Sequence, residues 1–222
     1  MLNLLVIVIL SYLVGSVPNG IIISKKARGI DIRNFGSGNI GGTNVFRTLG
    51  WKYGLLVIFM DALKGAIAVV LIARLYLGDF PFPNATPFDD FTLVQIIAGI
   101  TAVIGHIWTV FAGFRGGKGI ATGLGFLITL ITVDILLALA VFALVVIVSK
   151  YISLGSILAA ISVPLILIIR ENIFGVEIPG YNTILPFVIG IALLVIFTHR
   201  SNLVRLFKGN ENRISLSKKI NS

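Results

Sequence analysis

The chain alternates long apolar runs with short polar segments. The runs cover residues 2–24, 54–77, 91–112, 120–149, 152–169 and 184–198. Each reaches or approaches the ~20 residues that cross a hydrocarbon core as a helix. The run 120–149 overshoots. As one helix it would measure roughly 45 Å, against a core of ~30 Å. The run is therefore either one overlong helix or a hairpin of two short helices turning near Asp134. Pro18 and Gly20 are expected to bend the inner end of the first helix.

The polar segments differ in charge, and this sets the sidedness. Residues 25–52 carry Lys25, Lys26, Arg28, Arg33, Arg47 and Lys52 against Asp31. Residues 112–119 carry Arg115 and Lys118. Residues 200–222 carry Arg200, Arg205, Lys208, Arg213, Lys218 and Lys219 against Glu211. Residues 79–90 carry Asp79, Asp89 and Asp90 and no base. Short loops rich in Lys and Arg stay in the cytoplasm. The three basic segments are thus placed inside and 79–90 outside. Lys150 then falls inside and the 170–183 loop outside, which requires 120–149 to cross twice. The expected fold is an all-α integral membrane protein with seven transmembrane helices, N-terminus outside and C-terminus cytoplasmic. It is read as one polytopic domain over 1–222, with 210–222 a frayed tail. Residues 2–24 read as a retained helix, because no basic n-region precedes them. Phe80–Phe91, with Pro83 and Pro87, reads as an outer interfacial loop.

Composition agrees. Of the 222 residues, 57% are hydrophobic and 12% charged, and the mean hydropathy is +1.03. That is too little charge to cover a soluble surface. The net charge of +9 follows from sidedness and calls for no nucleic acid. There is no cysteine and there are two histidines, which excludes disulfides, thiolate chemistry and most zinc sites.

Three polar segments exceed what spanning needs, and all fall on the expected inner side. The first is Gly36-Ser37-Gly38-Asn39-Ile40-Gly41-Gly42-Thr43-Asn44, followed by Arg47. Its glycines permit a nest of backbone N–H groups suited to phosphate. A helix is expected over 43–49, capped by Thr43 or Asn44. Gly36-x-Gly38-x-x-Gly41 formally matches a dinucleotide fingerprint but lies between two spans and lacks the strand that fingerprint requires. The second segment is Gly113-Phe114-Arg115-Gly116-Gly117-Lys118-Gly119. It resembles a Walker A loop but is one residue short and lacks the Ser or Thr after the lysine. A lysine in a glycine bend ahead of a helix still suits a phosphate grip. The third is His199-Arg200-Ser201-Asn202 with Arg205. The i,i+3 spacing puts His199 and Asn202 on one helix face.

Asp61 and Lys64 are i,i+3 neighbours within a span, either a structural pair or a catalytic one. Ser153 and Ser156 lie near the inner face, and His106 lies a turn or two before the Arg115–Lys118 loop. Together these residues describe an inner-face pocket rich in Arg, Lys and glycine N–H groups and almost free of carboxylates. It suits phosphate-bearing ligands, with an acyl chain against the lipid-facing wall. On residue physics alone, an enzyme and a transporter of a phosphorylated metabolite are near parity. A membrane scaffold explains the hydropathy but not the glycine loops.

The residues resemble a known family. Gly15-Ser16-x-Pro18-x-Gly20, Gly36-Ser37-Gly38-Asn39-x-Gly41-x-Thr43-Asn44-x-x-Arg47, Asp61-x-x-Lys64-Gly65 and Gly105-His106 resemble blocks of the bacterial acyl-phosphate:glycerol-3-phosphate acyltransferases. So do Phe114-x-Gly116-Gly117-Lys118-Gly119-x-Ala121-Thr122 and His199-Arg200-x-Asn202. The blocks follow the family's order over residues 11–209. Gly42 departs from the family's more usual alanine.

The resemblance implies a seven-helix enzyme of the bacterial inner membrane, active on the cytoplasmic side. It would move a fatty acyl group from acyl phosphate to the sn-1 hydroxyl of glycerol 3-phosphate, releasing lysophosphatidic acid and phosphate, as the first step of phospholipid synthesis. No metal, cofactor or coenzyme A is expected. The expected partners are the two substrates, membrane lipid and the soluble enzyme that makes acyl phosphate, with the chain itself a monomer. The acyl-phosphate loop would comprise Gly36, Ser37, Gly38, Asn39, Gly41, Gly42 and Thr43. Glycerol 3-phosphate would fall to Arg47, Gly117, Lys118, Ser156, His199 and Asn202. Ser37, Arg47, Lys118 and His199 are the catalytic candidates. Three proton acceptors stay open: His199, Asp61 and a substrate phosphate oxygen.

Overall fold

The computed structural model describes residues 2–78 and 86–211. The expected outer loop falls partly outside the described residues, and the end of the tail, 212–222, falls wholly outside them. Every regular element among the described residues is helical: α1 (Leu2–Gly15), α2 (Asn19–Arg28), α3 (Gly42–Leu49), α4 (Trp51–Ile67), α5 (Asp90–Ile107), α6 (Ile120–Leu130), α7 (Thr132–Ser149), α8 (Ile152–Asn172), α9 (Tyr181–Thr198) and α10 (Arg200–Phe207). Among the described residues, five stretches are long and apolar enough to cross a membrane: Asn3–Arg28, Trp51–Leu75, Asp90–Ala112, Thr132–Ser149 and Ile152–Asn172. α6 and Tyr181–Phe197 are shorter apolar helices. The chain forms two compact units, Met1–Ile131 and Thr132–Ser222.

In the first unit, α1 and α2 are one apolar stretch interrupted at 16–18. Pro18, which has no N–H, stands at the α2 N-cap. The expected bend is present. α1 packs on α5 and α4 on α6 through glycine contacts. A Cβ on Gly15 would overlap the Ala102 carbonyl, and one on Gly65 would overlap the Thr122 carbonyl. Lipid tails are as apolar as leucine, so close backbone approach supplies the packing that hydrophobicity cannot. Beyond Ile67, α4 continues through a π turn (Ala68–Ile72) and a 3-10 turn (Ala73–Leu75). One buried cluster joins Ile7, Ala68, Val94, Ala98 and Ala102 across α1, α4's extension and α5. A second joins Ile21, Ile32, Ile40, Val45 and Val57. This second cluster pins the glycine-rich segment to the helices beside it.

In the second unit, α7 and α8 run antiparallel. Lys150 makes their turn in the left-handed region, at φ 63°. At the far end, Arg170 meets the buried Asp134 carboxylate at 2.5 Å. The chain breaks at Ile131, three residues before the expected turn at Asp134, which instead lies in the first turn of α7. α8 runs on to Asn172 and α9 starts at Tyr181, so the expected 170–183 loop shortens to 173–180. The tail is also not loose from its start. Glu211 accepts hydrogen bonds from Ser153 Oγ (2.9 Å), Asn202 Nδ2 (2.8 Å) and Arg205 Nε (2.8 Å). The expected fraying over 210–222 therefore does not hold at Glu211, because three donors on α8 and α10 need an acceptor.

Candidate functional site

Asn44 organises the glycine-rich segment. Its Oδ1 accepts the Ser37 N–H at 2.9 Å. Its Nδ2 donates to the carbonyls of Ile32 (3.3 Å), Phe35 (3.0 Å) and Asn39 (2.8 Å). Asn39 Oδ1 accepts the Gly41 N–H at 2.8 Å, and the Gly38 N–H donates to Phe35 O at 3.0 Å. These bonds correct two expectations. The N-cap of α3 is Gly41, with no side-chain cap from Thr43 or Asn44. The N–H groups of Ser37, Gly38 and Gly41 do not form an open nest, since each already donates within the loop. The amides of Gly42 and Thr43, in the first turn of α3, have no intrahelical acceptor and keep their capacity for an anion.

The second loop leaves α5 and enters α6. Gly113 and Phe114 are left-handed (φ 65° and 59°), and so is Gly119 (φ 75°), the N-cap of α6. The N–H groups of Gly116 and Gly117 donate to Ile107 O (3.0 Å) and His106 O (3.1 Å). Gly117 thus spends its N–H on α5. Lys118 follows directly and faces the same space as Arg47.

That space is a cavity of ≈ 380 Å³ within the first unit. Ser37, Asn39, Gly41, Gly42, Thr43, Asn44 and Arg47 line it from one side and Lys118, Gly119, Ile120, Ala121 and Leu124 from the other, with Ile58, Asp61 and His106 between them. Two expected blocks far apart in sequence therefore line one cavity. The expectation of a pocket almost free of carboxylates is corrected by Asp61. That carboxylate accepts Asn19 Nδ2 at 3.0 Å and pairs with Lys64 Nζ at 3.2 Å. Lys64 also donates to Val17 O at 3.0 Å. His106 Nδ1 stands 3.6 Å from the same carboxylate oxygen. Asp61 and Lys64 are a buried pair, as their spacing suggested, and Asn19 joins them. Gly36 and Gly38 shape the loop without lining the cavity.

The remaining candidates belong to the second unit. Ser156 Oγ donates to Ile152 O at 3.0 Å, within its own helix. Ser153, not Ser156, shares a partner with Asn202, namely Glu211. His199 is the junction between α9 and α10, and its Nδ1 lies 2.9 Å from Val195 O. His199 caps α10 three residues before Asn202, and its carbonyl accepts the Leu203 N–H at 2.9 Å. No group of three or more His, Asp or Glu among the described residues is placed to hold a metal ion.

Sequence reading missed the roles of Asn19, Asn44 and Glu211. For Asn19, the available signal was a lone amide inside an apolar run, beside Pro18. Glu211 stood out as the lone acid in a basic tail.

The profile of a family described as glycerol-3-phosphate acyltransferase matches residues 5–209. The glycerol-3-phosphate acyltransferase of Chlorobaculum tepidum is 45% identical over 237 residues, covering 99% of this chain and 100% of the relative. That of Chlorobium phaeobacteroides is 44% identical over 239 residues, covering 98% and 99%. Two crystal structures of PlsY (YgiH), an integral membrane glycerol 3-phosphate acyltransferase, are also similar. The glycerol 3-phosphate form gives a TM-score of 0.68 at 38% identity, covering 96% of this chain and 96% of that one. The lysophosphatidic acid form gives 0.69 at 37%, covering 96% and 95%.

Proposed function

The chain belongs to the glycerol-3-phosphate acyltransferase family of integral membrane proteins, and from that premise we propose that its acyl donor is acyl phosphate and its acceptor atom the sn-1 hydroxyl oxygen. The observation that carries this reading is the cavity in which Arg47 and Lys118 meet across the first turn of α3. Two cations and a helix N-terminus suit a phosphate that must leave.

Acyl phosphate is a mixed anhydride and already activated. The sn-1 oxygen attacks the acyl carbon, and the bond from that carbon to the bridging phosphate oxygen breaks. Inorganic phosphate departs with the bonding pair. The hydroxyl proton passes to a phosphate oxygen, to Asp61 or to His199. No covalent acyl-enzyme is needed, and the chain has no cysteine to form one. Catalysis is then positioning plus stabilisation of the charge on the leaving group. Arg47 and Lys118 supply that charge stabilisation. Ser37, Asn39, Gly42 and Thr43 seat the acyl-phosphate head. Ser156, His199 and Asn202 are assigned to glycerol 3-phosphate on the charge and hydrogen-bonding capacity of their side chains.

The topology follows the same reading. Seven helices cross the bacterial inner membrane, N-terminus outside and C-terminus cytoplasmic. The cavity then opens on the cytoplasmic side, because the loops that form it carry the excess of Lys and Arg. The protein works as a monomer, supplied by a soluble enzyme that makes acyl phosphate, and needs no metal.

The test uses purified protein in detergent with palmitoyl phosphate and glycerol 3-phosphate. Phosphate release that requires both substrates, with product of the mass of lysophosphatidic acid, is expected. A folded sample that binds glycerol 3-phosphate without turnover overturns the reading and favours transport.

A further inference from the structure

The Asp61 cluster is costly to keep. Asp61, Lys64 and His106 have side chains 3%, 5% and 4% exposed, in stretches long and apolar enough to cross a membrane. Ionisable groups there are expensive, and their retention points to a role at a site. Two of the three, Asp61 and His106, line the cavity, yet His106 Nδ1 has no hydrogen-bond partner and stands 3.6 Å from Asp61. A purely structural histidine would be expected to satisfy both ring nitrogens.

The other face of His106 explains its place. Its ring lies against Gly117, where an added Cβ would run into Nε2. Its backbone carbonyl accepts the Gly117 N–H at 3.1 Å, and the next carbonyl, of Ile107, accepts the Gly116 N–H at 3.0 Å. Gly117 is therefore held from the ring and from the carbonyl of one residue. Lys118 comes next. The ring itself is backed by Asp61, which Asn19 and Lys64 fix from two further directions.

We infer that His106 is a positioning residue for Lys118. Asp61, held by Asn19 and Lys64, stands 3.6 Å from the imidazole, and the ring and carbonyl of His106 abut the bend from which Lys118 reaches phosphate. This rests on the reading of Lys118 as a phosphate grip. A displacement of about 1 Å at such a group can cost on the order of 100-fold in rate, so a rigid backing for one lysine is a proportionate use of a buried cluster.

The test is a double-mutant cycle read by binding of inorganic phosphate, using calorimetry on the full chain in detergent. Wild type, His106→Asn, Lys118→Ala and the double variant are compared. His106→Asn is expected to weaken phosphate about tenfold with Lys118 present and less than twofold in the Lys118→Ala background, the coupling expected of residues acting through one another. Losses that multiply, or phosphate binding by His106→Asn equal to wild type, overturn the inference. If His106→Asn does not fold, Asn19→Ala enters the cycle in its place and is judged by the same two outcomes. Wild-type turnover is measured separately. Turnover with multiplying losses sinks the positioning role alone. Coupled losses without lysophosphatidic acid sink the acyl-transfer reading alone.

Discussion

Asn44 Oδ1 accepts the Ser37 backbone N–H at 2.9 Å, across seven residues of a glycine-rich loop. The same side chain donates to three carbonyls. One amide thus replaces the regular hydrogen bonding that a loop between helices lacks. Asn44→Ala removes all four bonds and leaves three carbonyls, that of Ile32 buried, without this donor. It is expected to cost about 2–4 kcal/mol and to lower kcat/KM by more than tenfold. Asn44→Asp keeps the Ser37 bond but sets an anion against the carbonyls of Ile32, Phe35 and Asn39. It is expected to do no better. Thermal unfolding and turnover, measured together, check both variants, and wild-type stability in either would refute the organising role.

Lys118 and Lys26 are both cations at the basic end of the first unit, and they separate charge from position. Lys118 lines the cavity, whereas Lys26 is exposed on α2. Removing a charge that contacts the leaving group costs on the order of 100-fold or more. Lys118→Ala is expected to lose that much in kcat/KM, and Lys26→Ala to stay within twofold. Equal losses would mean that only the general field of the loops matters.

Asp31 and Arg33 predict a pH effect on stability. Arg33 donates to Asp31 at 2.6 Å and holds its carboxyl down from 3.8 to about 2. A carboxyl lowered on folding stabilises the fold fully above its ordinary value. That gain is lost as pH falls from about 4 toward about 2. The Arg33 side chain is 39% exposed, so the gain is no more than about 1 kcal/mol after solvent screening. Wild type should melt about 2 °C above Asp31→Asn at pH 7, and the gap should close by pH 2. A gap unchanged at pH 2 would show that the pair is not its source.

Glu211 ties α8 to α10. Asn202 first, and then Ser153 and Arg205, hold its carboxyl below the usual range. The sign is the same as for Asp31, with stability present at neutral pH and lost in acid. Glu211→Ala should lower the melting temperature more than Glu211→Gln, because the amide still offers one acceptor oxygen. The reverse order would refute the bridge.

Much of the fold was legible in sequence. Apolar runs gave the helices, and the bend at Pro18 followed from a missing N–H. The break in 120–149 followed from length together with the sidedness of the basic loops, although its place, Ile131, did not. The two glycine loops were legible as phosphate-binding in character, but not in mechanism. Their glycines suggested free N–H groups, and Asn39, Asn44 and the α5 carbonyls use several of them. That outcome depends on which acceptor lies within 3 Å, and composition carries no such distance.

By itself the sequence determined the helical membrane class, the charge asymmetry between loops and the blocks that bear chemistry. These are sums over neighbouring residues, and hydropathy and charge add along a segment. Only the tertiary structure decided that Asn19 would reach Asp61 across 42 positions, that Lys64 would reach Val17 across 47 and that Ser153 would reach Glu211 across 58. Glycine contacts such as Gly15 on Ala102 and Gly65 on Thr122 likewise join helix backbones at fixed points. A crossing point is a property of two helices at once, and no window along one of them contains it.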